Sequence, residues 1–302
     1  MFTITSQQLQ GFIPAAVTPF AENGEIMFDA FQELIRWLVE IGAQGICVAA
    51  DNGESWSLTT EERYQLTKTA KDIVGVNFPI YTGITATQNF MTVKNALAAQ
   101  NAGANGVLLM PPPYVLRVSE KALIDRFSQV SKAITLPIII YNSPRRVGFS
   151  LTMDNIEAIY NSANIIGIKE SHRDFFHHTE LLSRFKNKLS IMVGPCHYIF
   201  PAIALGASGF IATGPELLGR QATQLTAMAK KKPDEQMAET HFKLTQIYQM
   251  LMGLGTWPAA FKAVLNLMGL PAGLPRDPAL PLEKPQIDKL KQQLDTLQIN
   301  YR

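Results

Sequence analysis

Cysteine is scarce in this chain: Cys47 and Cys196 are the only two among 302 residues. Two thiols so far apart build no disulfide framework and lack the close spacing of a metal site. Reduced cysteines in a cytosolic compartment are therefore expected. Long apolar runs are missing as well. No stretch reaches the ~18 residues that a membrane span needs, and the opening MFTITSQQLQGFIP has no basic segment ahead of an apolar one, as a secretory leader would. The expectation is a soluble, cytoplasmic protein. An excess of one charge sign is lacking too: 27 basic and 25 acidic residues leave a formal net charge of +2. With no long like-charged run, nothing calls for nucleic acid or a membrane surface as partner.

What the chain does have is apolar content, 47% of its residues, enough for one large core. Short β-type runs alternate with amphipathic helical stretches. The candidate strands are FIPAAV (12–17), GICVAA (45–50), PIYTGI (79–84), GVLLMP (106–111), PIIIYN (137–142), IIGIKE (165–170), SIMVGP (190–195) and GFIATG (209–214). Between them lie helices such as TTEERYQLTKTAKDIV, where Thr59 or Thr60 can cap and Glu61 and Glu62 suit the positive N-terminal end. Eight βα units in series predict a TIM (β/α)8 barrel. An open doubly wound sheet would carry a glycine fingerprint after its first strand, and AVTPFAENGE is not one. From about residue 215 only helical pattern remains, with GLPAGLPRDPALPL (269–282) as a Pro/Gly-rich connector. The expected organisation is one domain, a barrel over 1–220 with a helical appendage over 221–302.

One residue breaks the apolar pattern. In NIIGIKESHR (164–173) an isoleucine-rich strand ends on Lys169. Barrel residues at strand C-termini face the active site, and Tyr141 ends the neighbouring strand. Desolvation favours the neutral form of an amine, and a neutral amine attacks carbonyls to form a Schiff base. A phenol beside it can shuttle the protons which that step needs. The competing reading is structural: Lys169 pairs with Glu170 or another carboxylate and only closes the barrel rim.

Over nearly its whole length the chain resembles the dihydrodipicolinate synthase and N-acetylneuraminate lyase family of class I pyruvate aldolases. The motifs are PAAVTPF, DNGESWSLTTEER, YTGITA, YNSPRRVG, IIGIKES and GASGFIATGPEL. The resemblance implies Lys169 as the Schiff-base lysine and Tyr141 as the proton-relay tyrosine, with no cofactor and no metal. It puts the carboxylate of a 2-oxo acid on the DNGES turn, at Asn52 and Ser55, and matches Gly194 and Ile211 to the pocket lining. Arg146 matches the arginine that receives the second substrate's carboxylate in the synthases. The family also implies a homo-oligomer, a dimer or tetramer. Two departures stand out. Asp51 and Asn52 occupy the place of a threonine pair, one of which relays protons. In PPPYVLR, Tyr114 matches the first of two tyrosines, but Val115 replaces the second, which in the synthases reaches into a neighbouring subunit.

Other features have plainer readings. GASGFIATG fits a barrel phosphate site or tight helix–strand packing. His172, His177 and His178 do not share one helical face, which disfavours a metal-dependent aldolase. Cys196 and His197 are expected to line the pocket rim, and Trp56 to pack. The expected activity is a Schiff-base lyase acting on pyruvate or another 2-oxo acid, by aldol cleavage, condensation or dehydration. The alternatives are a 4-hydroxy-tetrahydrodipicolinate synthase proper, and a non-catalytic binding or regulatory barrel.

Overall fold

The computed structural model describes residues 4–115 and 118–301. Eight strands form the sheet: β1 (Gly11–Phe12), β2 (Ile46–Val48), β3 (Ile80–Gly83), β4 (Gly106–Leu109), β5 (Ile138–Asn142), β6 (Ile165–Glu170), β7 (Ser190–Val193) and β8 (Gly209–Phe210). All the pairings are parallel, in the order β1-β8-β7-β6-β5-β4-β3-β2. The remaining edge closes through a parallel bridge between Ala15 and Cys47. There Ala16 N donates to Cys47 O at 2.9 Å and Cys47 N to Pro14 O at 2.8 Å. The fold is the (β/α)8 barrel that the sequence predicts. The first strand is shorter than FIPAAV suggests because Pro14 has no N–H to give to the ladder, which leaves a single bridge beyond it.

The strands are isoleucine-rich because both faces are covered. Ile139, Met192 and Ile211 fill the interior with Cys47 and Tyr81, whereas Ile138, Ile140 and Ile168 pack outward against the helices. The helix Thr60–Val74 begins as expected at Thr59, whose Oγ1 accepts from Glu62 N at 3.1 Å while Glu62 Oε2 accepts from Thr59 N at 2.8 Å. This is a reciprocal cap. Past the barrel come the helices Glu235–Met252, Ala259–Leu267 and Lys284–Thr296. Their apolar faces join Val17 and Leu34 in one buried cluster. The connector before the last helix returns to the barrel, where Leu274 N donates to Phe20 O at 2.8 Å. No described helix is long and apolar enough to cross a membrane.

Candidate active site

A backbone irregularity aims the lysine. Along β6, Ile166 packs into the barrel interior, so strict alternation would turn Ile168 and Glu170 inward and Lys169 outward. The pairing with β5 shifts register between Ile138 and Ile139, opposing Ile138 to Ile165 but Ile139 to Gly167. The extra residue reverses the alternation. Ile168 now faces the helices, and Lys169, directly opposite Tyr141, lines the cleft at the barrel mouth. Only glycine fits at the turning point, since a Cβ on Gly167 would lie 2.6 Å from Leu9 Cδ2 and 2.7 Å from Ser190 O.

The cleft, about 490 Å³ with its open mouth, is lined by Lys169, Tyr141, Asp51, Asn52, Gly194 and Ile211, along with Ser143, Ser171 and Thr213. Lys169 is 4% exposed, and its Nζ lies over the Tyr141 ring at 4.2 Å from the centroid. Among the described residues it forms no salt bridge. The carboxylate expected to pair with it is engaged on the opposite face of the strand. Glu170 accepts from Asn142 Nδ2 at 2.9 and 3.1 Å and from His172 N at 2.7 Å, and stands 3.5 Å from His177 Nδ1. Burial pushes its carboxyl up to about 7, against the opposing effects of His177 and these hydrogen bonds. A second buried carboxyl, Glu216, is likewise pushed up to about 7 by burial, with the Gly214 amide and the charge of Lys169 pulling the other way.

The turn after β2 is held from below. The buried Arg63 guanidinium donates to Ala49 O at 3.1 Å, to Gly83 O at 2.6 Å and to Ser55 O. Within the turn, Asn52 Nδ2 donates to Ala15 O at 2.9 Å and to Thr213 Oγ1 at 2.7 Å. The amide of Asn52, which lines the cleft, donates to no backbone carbonyl among the described residues.

Several candidates lie elsewhere than expected. Arg146 is engaged: its Nε and Nη2 both reach Asp51 Oδ2, at 3.0 and 2.9 Å, and its guanidinium lies over the Trp56 ring at 5.7 Å. Trp56 is itself half exposed. Ser55 does not line the cleft, and its carbonyl serves Arg63. Tyr114 projects into solvent, 93% exposed. Cys196 is buried away from the cleft with its thiol on Leu244 O, so Gly194 and Pro195 form that rim in place of Cys196 and His197. Among the described residues no three His, Cys, Asp or Glu side chains gather as a metal site would require.

A dihydrodipicolinate synthetase family model matches residues 8–297. The chain belongs to the dihydrodipicolinate synthetase family. Among its relatives are a DapA-like lyase of Pyrobaculum neutrophilum, 26% identical over 95% of this chain and 99% of that one, and the 4-hydroxy-tetrahydrodipicolinate synthase of Methanococcus vannielii, 28% identical over 96% and 99%. Its fold is similar to that of YagE, a prophage protein of the dihydrodipicolinic acid synthase family from E. coli K12, solved in complex with pyruvate. That match has a TM-score of 0.91 and 29% identity and covers 97% of this chain and 99% of that one. The chain is a lyase of the dihydrodipicolinate synthetase family.

This family member also brings Arg145, Arg173, Tyr248 and Trp257 to the cleft. No motif marks them in the sequence. Arg145 adjoins an arginine that matches the family pattern, and Tyr248 reads as one more aromatic on an amphipathic helix. Gly167 did carry a signal, because a glycine inside a strand pattern points to a bulge or a close approach.

Proposed function

We propose that this lyase works through an imine between Lys169 and pyruvate or a longer 2-oxo acid. The observation that carries the reading is a buried lysine, without an anionic partner among the described residues, stacked on a tyrosine at the mouth of a barrel. Lys169 Nζ attacks the 2-oxo carbon to give a carbinolamine. Loss of water then leaves the imine, with Tyr141 supplying and taking back the protons. The substrate carboxylate rests on the Asn52 amide. The imine is an electron sink, so a C–C bond breaks or a hydroxyl leaves through an enamine, which is then reprotonated and hydrolysed to free the lysine.

Asp51 and Val115 decide between synthase and other lyase chemistry in this reading. Asp51 is tied to Arg146, and Val115 has no proton to pass. A relay from Tyr141 through Asp51 therefore ends there, and loss of one positioned proton-transfer group typically costs about 10²- to 10⁴-fold in rate. Weak synthase activity is the expected outcome, beside better cleavage or dehydration of a hydroxylated 2-oxo acid. The chain is read as one domain, a cytoplasmic enzyme and a homo-oligomer, dimer or tetramer. The exposure of Tyr114 (93%) and Val115 (43%) fits a surface that a second copy covers.

The test is a turnover screen of 2-oxo acids and 2-keto-3-deoxy sugar acids with the purified protein, with and without a chelator. Turnover of a hydroxylated 2-oxo acid that survives the chelator supports the reading. A kcat/KM above about 10⁴ M⁻¹s⁻¹, within the ordinary enzyme range, for pyruvate with aspartate semialdehyde would make it a synthase proper.

A further inference from the structure

Among the described residues, two arginines at the cleft have no acidic partner, and one helix holds both. Arg145 stands on the short helix Pro144–Val147 that follows β5, and Arg173 on the loop that follows β6. Arg145 Nη1 donates to the thioether sulfur of Met252 at 3.2 Å. Arg173 Nη2 donates to Tyr248 Oη at 3.3 Å, and its guanidinium lies over that ring at 5.8 Å. Tyr248 and Met252 are one turn apart on the helix Glu235–Met252, so they project from the same face and set the two guanidiniums side by side. All four residues line the cleft that holds Lys169.

Both arginines keep most of their donors free. A thioether is a weak acceptor, the phenol contact is long, and neither arginine enters an ion pair among the described residues. The nearest acid in sequence, Asp174, caps the next helix by accepting from Phe176 N at 2.9 Å. Arg173 is held at its backbone, where its carbonyl accepts from Tyr198 Oη at 2.6 Å. Trp257 lines the same cleft, and its buried indole N–H has no hydrogen-bond partner among the described residues. Arg146, in contrast, is already engaged by Asp51.

We propose that Arg145 and Arg173 form a clamp for a second anionic group at the far end of the substrate, so that this enzyme selects 2-oxo acids carrying a distal carboxylate or phosphate. Guanidinium forks match either anion. The clamp lines the same cleft as Asn52 and Lys169, so a substrate with an anionic group at each end can be held at both while its 2-oxo carbon meets Lys169. The proposal rests on the imine reading for what happens after binding, but the clamp itself is a matter of affinity.

Calorimetric titration tests it, with pyruvate as the monoanion, 2-oxoglutarate as the dicarboxylate and 2-keto-3-deoxy-6-phosphogluconate as the phosphate probe. The proteins are the wild type, Arg145→Gln, Arg173→Gln and the double variant, each checked for an unchanged melting curve, with Arg146→Gln, checked for cooperative unfolding above the assay temperature, as the comparison. Loss of charge-assisted bonds in the double variant is expected to weaken the preferred dianion about 10- to 100-fold, with pyruvate affected several-fold less. The preferred probe identifies the distal group. Equal losses for pyruvate and both dianions, no loss, or a selective loss only in Arg146→Gln would overturn the clamp. Borohydride trapping on the same samples reads the imine separately. Arginine-dependent dianion binding without any adduct would refute the imine and leave the clamp standing, and the converse would refute the clamp alone.

Discussion

At the scale of single residues, adjacent positions do opposite things. Arg145 and Arg146 are neighbours on one short helix, where successive side chains point about 100° apart. One therefore reaches the cleft and the other reaches Asp51. The sequence shows two arginines and a family match for the second, but it cannot show that Asp51, distant in the chain, turns to meet that match. This part of the site was not legible, because an ion pair depends on where two loops land. The pair is partly buried, so a double-mutant cycle with Asp51→Asn and Arg146→Gln is expected to show a coupling of about 1–2 kcal/mol in thermal or urea unfolding. Coupling near zero would return Arg146 to the role of a free carboxylate receiver. Tyr141→Phe keeps the ring under Lys169 and removes only the hydroxyl. It is expected to slow turnover by about 10²- to 10⁴-fold with an unchanged melting temperature, and a rate within twofold of wild type would remove Tyr141 from the proton path.

At the scale of elements, the turn after β2 depends on the far end of the chain. Glu54, with left-handed backbone at φ 55°, is buried with its Oε1 2.5 Å from Lys262 Nζ, while its Oε2 accepts from Arg276 N at 2.8 Å. Burial pushes the Glu54 carboxyl up and holds Lys262 down at about 8, each against the pull of its partner. Removing one member of such a pair strands the other. Lys262→Met is expected to cost about 3–5 kcal/mol, and the double change Glu54→Gln with Lys262→Met much less. Additive losses in urea unfolding would show that the two do not act as a pair. The helix Phe175–Phe185 carries a second test. Burial holds His178 well below its ordinary 6.5, at about 4, and its Nε2 meets His172 O at 2.9 Å. The unfolded chain therefore binds the extra proton as pH falls from 6.5 toward 4, and folding stability drops through that window. His178→Gln is expected to flatten this acid limb by about one proton, whereas an unchanged slope would mean that other groups set it. Strands and helices of this kind were legible because periodicity and capping residues act locally. Isoleucine runs bounded by proline and glycine mark the strands, and Thr59 marks a helix start. Their exact ends, and the bulge at Ile166, depend on neighbouring strands that are distant in sequence.

At the scale of the whole molecule, the barrel was readable from eight recurring units, and the lysine from its place at the end of one. The contribution of the C-terminal helices to the cleft was not. Tyr248, Met252 and Trp257 line it only because the chain folds back over the barrel mouth. The exposed Tyr114 belongs to this scale too. If a second copy covers that surface, sedimentation of the wild type is expected to show a dimer or tetramer, and Tyr114→Asp is expected to shift it toward monomer. A wild-type monomer would assign the surface another role. The Lys169 imine is one covalent bond, and the mass of the intact protein measures it most directly. After incubation with pyruvate and reduction with borohydride, one pyruvate-derived adduct per chain is expected, mapped to the peptide that contains Lys169 and absent from Lys169→Ala. An adduct on a different lysine, or none with any 2-oxo acid, would contradict it.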